Sequence, residues 1–187
     1  MRALRVKLAV GVAVLGAAGV GTVAVAGDRG GFRTELSGFQ EVPAISTEGN
    51  GTFRARISRE VEEIQYELTY GALDGPVLQS HIHLGQEGVN GGISVFLCTN
   101  IGNAPEGVTV QACPQEGTIT GTIGPGDVIG PAAQGIAAGE FAELVRAMRA
   151  GATYVNVHSE PQPGGEIRGQ LGGRRGDDHA DSSGDGS

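Results

Sequence analysis

Tryptophan is absent from this 187-residue chain, and aromatic residues make up only 4% of it. Lysine is nearly absent as well: none follows Lys7, so every later cation is an arginine. Imidazole and thiol ligands are scarce, at four histidines and two cysteines. No serine sits in a nucleophile elbow and no glycine-rich phosphate loop precedes a helix, which removes two common hydrolase and nucleotide-binding signatures. What is abundant is glycine, at 34 residues. That balance suits short strands and tight turns better than a helical bundle. The length suits one core-bearing domain.

The only long apolar run lies at the start. Arg2, Arg5 and Lys7 precede the uncharged stretch Leu8 to Ala26, which closes on "AVA". This is the pattern of a cleaved export signal over residues 1–26, with the mature chain beginning at Gly27. The alternative is an uncleaved anchor, for which the Gly- and Ala-rich run lacks bulk. Cleavage would remove three cations and take the formal net charge from −8 to −11. Such an acidic domain is a poor partner for nucleic acid or anionic lipid, and no membrane span is expected after cleavage. The expected location is secreted or at the cell surface. In that oxidising setting Cys98 and Cys113, 15 residues apart, are expected to form a disulfide.

After a linker at residues 27–31, segments with period-two alternation follow one another. Phe53, Ala55 and Ile57 alternate with Thr52, Arg54 and Arg56; Ile64, Tyr66, Leu68 and Tyr70 alternate with Glu63, Gln65, Glu67 and Thr69. The short "SRE" link between them suits a hairpin, and Glu60, Glu62 and Glu63 read as its solvated end. "FRTELSG", "VLQSHIHL", "GISVFLC", "GTITGTI", "TYVNVHS" and "GEIRGQL" complete eight strands. The fold class is therefore all-β, an antiparallel β-sandwich or Greek-key-like barrel. One short helix interrupts it: Phe141, Leu144, Val145 and Met148 recur at helical spacing before Gly151. The acidic Gly/Asp/Ser tail from Gly172 to Ser187 has no apolar residue larger than Ala and is expected to be disordered, and His179 in it reads as solvated.

The remaining histidines carry the chemical question. In "VLQSHIHL" strict alternation puts Val77, Gln79, His81 and His83 on one face and Leu78, Ser80, Ile82 and Leu84 on the other. In "TYVNVHS" it sets Tyr154, Asn156 and His158 opposite Val155 and Val157. All three imidazoles thus lie opposite aliphatic rows. Residues two apart on a strand are about 6.6 Å apart on one side. His81 and His83 could therefore lean onto one ion, with His158 as a third ligand if the strands adjoin. Three imidazoles suit zinc or copper. The competing reading has the same rings donating to backbone carbonyls, or to Glu160 and Glu166, to tie down loops.

Three stretches in order, "LSGFQEVPA" (Leu36 to Ala44), "HIHLGQEGVNGGISVFL" (His81 to Leu97) and "YVNVHSEPQPGGEIRGQL" (Tyr154 to Leu171), closely resemble the CHRD domain, named for chordin and common in exported bacterial proteins. The resemblance covers residues 32–171. It implies an all-β module and places His81, His83, Gly85, Asn90, Gly91, Asn156, His158, Gly165, Glu166 and Arg168 at the family's characteristic positions. Glu166 and Arg168 are expected to form a structural pair with a neighbouring loop. Growth-factor binding in chordin is associated with other modules and does not carry over. A weaker similarity is to copper/zinc superoxide dismutase, also a sandwich with His-x-His on one strand. Three core histidines cannot build its four-histidine copper site, and the bridging histidine and zinc loop are missing.

The sequence thus leads to a non-catalytic binding or structural module that meets an extracellular protein or surface ligand. The alternative is an exported zinc- or copper-binding protein using His81, His83 and His158.

Overall fold

The computed structural model describes residues 31–58 and 62–172. The export signal, the first four linker residues, Arg59 and Glu60 of the hairpin link, and the tail from residue 173 lie outside the described residues.

Eight strands form where the alternation places them: β1 (Gly31–Ser37), β2 (Asn50–Ser58), β3 (Glu63–Gly71), β4 (Val77–Leu84), β5 (Gly92–Thr99), β6 (Gly117–Ile123), β7 (Thr153–Ser159) and β8 (Ile167–Leu171). All pair antiparallel in one sheet of order β5-β4-β7-β8-β1-β2-β3-β6. The sheet curls into a nearly closed barrel, which decides between the two expected architectures. The inward rows supply the core: Phe32 and Leu36 from β1, Phe53 from β2, Ile64 and Leu68 from β3, Ile82 from β4, Val155 and Val157 from β7. Burying each such side chain contributes about 1.5–3 kcal/mol.

The expected helix is α1 (Phe141–Arg149). Its buried residues are the four that the spacing selects, Phe141, Leu144, Val145 and Met148, and they join the barrel core. The chain turns out of the helix at Gly151, whose φ of 71° favours a residue without Cβ.

Two edges remain, β5 and β6, and the segment between them lies across the gap. Cys98 at the end of β5 is bonded to Cys113, with Cα atoms 5.0 Å apart. Within the loop so tied, the Gln111 carbonyl accepts from the Thr99 N–H (3.0 Å), and its side-chain amide donates to the Thr120 carbonyl of β6 (3.1 Å). The same amide donates to the Tyr66 hydroxyl (2.9 Å), which in turn donates to the Leu97 carbonyl (3.1 Å).

One alternation fails. Val77 belongs to the core, on the face opposite His81 and His83. An irregularity in the β4–β7 register between Val77 and Gln79 inserts an extra residue, which reverses parity on either side of it.

Candidate metal centre

Strand β7 is buried at all seven positions, on both faces. An antiparallel strand ordinarily keeps one face wet. Here loops close over the second face of β4, β7 and β8. Asn90 reaches from the β4–β5 loop to the Val42 carbonyl (2.8 Å). Arg168 on β8 donates to the Asn90 side-chain oxygen (3.1 Å) and to the carbonyls of Val89 (3.0 Å) and Gln86 (3.2 Å). Beneath that cover lies a small polar interior separate from the barrel core.

The three histidines meet there. Strands β4 and β7 are direct neighbours, with His81 opposite Asn156, His83 opposite Tyr154 and Gln79 opposite His158. His158 is therefore diagonal to His81, and His81 Nδ1 is 3.2 Å from His158 Nε2. One ring nitrogen from each of His81, His83 and His158 lies within 4.8 Å of the others. Their exposures are 0%, 7% and 6%.

Hydrogen bonds set the tautomers. Carbonyl oxygens only accept, so His83 Nδ1 donates to Gly91 O (3.0 Å) and His158 Nδ1 donates to Pro163 O (2.9 Å). In the neutral rings both Nε2 atoms then carry the lone pair. His81 Nδ1–H fits as donor to His158 Nε2, which leaves the lone pair of His81 on its own Nε2. His81 Nε2 and His83 Nε2 are buried and have no hydrogen-bond partner. A backbone carbonyl holding one ring nitrogen while the other is left bare is the arrangement seen behind metal-bound histidines.

The rings are neutral at physiological pH. Desolvation, followed by the neighbouring His158 and His83, pushes His81 down to about 2. Desolvation pushes His83 down to about 4 against the opposing Gly91 hydrogen bond. His158 is lowered by the same desolvation. Neutral imidazole is the ligating form.

The walls hold the rings in place. Phe96 meets His81 edge-on, with centroids 4.4 Å apart. Tyr154 stacks on His83 at 4.7 Å, and the Arg168 guanidinium carbon lies 3.4 Å from the Tyr154 ring centroid. The Tyr154 hydroxyl accepts from the Gly91 N–H (3.2 Å). Glu41 is buried nearby with Oε1 unpartnered. Burial raises its pKa, opposed by the charge of Arg168 and by hydrogen bonds from the Val42 backbone and the Asn156 side chain. Asn156 lies against the third ring, its Oδ1 3.0 Å from His158 Nε2.

The expected acidic acceptors do not serve the histidines. Glu160 is exposed, and Glu166 accepts from Thr47 (2.7 Å), from the Asp74 N–H (2.8 Å) and from Ser159. Nor do Glu166 and Arg168 act as a pair. One fastens the segments at 47 and 74, the other the loop at 86–90. The sequence reading missed Glu41 and Phe96 as wall residues. Glu41 lies inside "LSGFQEVPA" and Phe96 inside "HIHLGQEGVNGGISVFL", so the motifs were the signal for both.

Three neutral nitrogens on two adjoining strands fit a zinc or copper ion. Nitrogens bound at 2.0–2.1 Å to one tetrahedral ion sit about 3.3 Å apart, so the set would contract on loading. No carboxylate or thiol stands among the three, which disfavours calcium or magnesium.

A family model, the CHRD domain, matches residues 32–171. No curated protein and no solved structure matches the chain.

Proposed function

Starting from the fact that the chain belongs to the CHRD domain family, we propose that it is an exported, non-catalytic binding module that holds one zinc or copper ion on His81, His83 and His158. One observation carries this reading: carbonyls at Gly91 and Pro163 take the Nδ1 hydrogens of His83 and His158, and His81 Nε2 and His83 Nε2 are left buried with no hydrogen-bond partner. A purely structural role explains those two hydrogen bonds, and it is the second reading. It gives no account of His81 Nε2, a fully buried nitrogen left without a partner.

Export rests on residues 1–26 and agrees with the Cys98–Cys113 disulfide. No helix among the described residues is long and apolar enough to cross a membrane. The bound ion would supply a charge-concentrated Lewis-acid centre. Around it, Tyr154 and Phe96 orient the rings, and Asn156 and Glu41 line the polar wall.

The test is elemental analysis of untagged protein from the exported fraction, followed by calorimetric titration of stripped protein with zinc and copper. One equivalent is expected for the wild type and none for His83→Ala, which should stay folded. Wild-type protein that takes up neither ion would leave the loop-tying reading in its place.

A further inference from the structure

On the other half of the barrel, the outer faces of β1, β2, β3 and β6 wall a groove of about 750 Å³. Two cross-strand rows border it. One runs Arg33, Arg54, Glu67, Thr120; the other runs Gly31, Arg56, Gln65, Thr122. The row between them, Phe32, Ala55 and Tyr66, is buried and ends at Gly121, which has no side chain.

Arg33 stands directly opposite Arg54, and both are exposed. Like charges at directly opposed positions destabilise a sheet. Only a loose contact offsets this: Arg54 approaches Glu67 at 4.0 Å, and Arg33 makes no ion pair among the described residues. Two guanidinium groups, Arg33 and Arg54, therefore stand opposed on one face of a chain whose formal charge is −8. Stability does not ask for that placement. A ligand anion bridging the two guanidinium forks would.

The shape and lining narrow the ligand. Arginine forks match carboxylate and sulfate oxygens in bidentate fashion. Glu67, Gln65, Thr120 and Thr122 add acceptors and donors of the kind that sugar hydroxyls use. The acidic remainder of the domain repels long polyanions, whereas a short ligand feels mainly charges within about 8 Å at physiological salt. We propose that this groove binds a short acidic oligosaccharide, its carboxylates seated on Arg33 and Arg54 and its hydroxyls on the Gln and Thr side. This site shares no residue with the histidine cluster.

The test uses full-length mature protein with EDTA present, so that metal loading plays no part. A short oligogalacturonate is titrated by calorimetry and by NMR, beside a neutral malto-oligosaccharide, sodium sulfate and anionic vesicles. Wild-type protein should bind the uronate in a salt-sensitive way, with shifts centred on Arg33, Arg54 and Gln65. The double variant Arg33→Gln/Arg54→Gln should bind at least about tenfold more weakly and melt no lower than wild type. The proposal falls if the wild type does not bind, if the double variant binds equally well, or if the neutral sugar binds as tightly as the uronate. It falls equally if only sulfate or vesicles bind.

Discussion

Acidification should unfold this domain in a window set by its buried histidines. His81 and His83 have folded-state pKa values pushed down to about 2 and about 4, against an ordinary 6.5. Below pH 6.5 the unfolded chain takes up protons that the native state refuses, so stability falls with pH until the folded pKa is reached. At pH 5 both rings are still neutral in the native state, and each deficit of 1.5 pH units costs about 2 kcal/mol. His158 shifts in the same direction and adds to the loss. Glu41 works the other way, because its raised pKa favours proton uptake by the native state, but it is one carboxyl against three imidazoles. A loss of about 4 kcal/mol or more is a large share of the 5–15 kcal/mol typical of a domain. Urea unfolding of metal-free protein at pH 7 and pH 5 measures it directly. A midpoint unchanged between the two, or imidazole NMR signals titrating near 6.5, would refute the buried-neutral assignment. Added zinc or copper should move the transition to lower pH if the proposed site loads, since the ion binds the same lone pairs that protons would occupy.

Three further outcomes follow from the geometry. Cys98→Ser/Cys113→Ser should lower stability by about 3 kcal/mol, the loop-entropy value for a closure of this length, while alkylation of unreduced wild type should label neither cysteine. Arg168→Ala removes the donors that hold Gln86, Val89 and Asn90; a loss of about 2–4 kcal/mol and faster hydrogen exchange across that loop are expected, and unchanged exchange would show the loop held by other means. Gly165→Ala should destabilise clearly in thermal melts, because φ is 128° there and a Cβ would lie 2.3 Å from Glu41 Oε1.

Most strands were legible because they expose one face, or part of one, to water and so alternate; β7, buried on both faces, alternates because its second face lines a polar interior. The helix was legible because four apolar residues recur at its period. What alternation could not carry was anything that depends on a neighbour. Parity put His81, His83 and His158 on one kind of face, but their meeting depends on β4 pairing directly with β7, a long-range choice that leaves no local trace. Val77 was assigned to the wrong face because one inserted residue, invisible in a hydrophobic pattern, inverts the count. The second buried face was hidden for a related reason. Parity set Asn156 and His158 opposite the aliphatic row of β7 without saying what covers that face; loops reached through Val42, Gln86 to Asn90 and Pro163 bury it, with Arg168. The quoted motifs marked most of those residues, although the reason for their grouping is three-dimensional.

The loop tied between Cys98 and Cys113 has a consequence for how the protein can be made. Its Gln111 touches the end of β5 and the middle of β6, so the thiols and the two sheet edges share one fate. In a reducing cytosol the loop would be free to swing away. Two rows of backbone N–H and C=O groups would then face other chains that carry the same rows, a ready template for edge-to-edge association. Production without an oxidising step should therefore yield inclusion bodies, and the chain's compartment becomes a condition of its solubility.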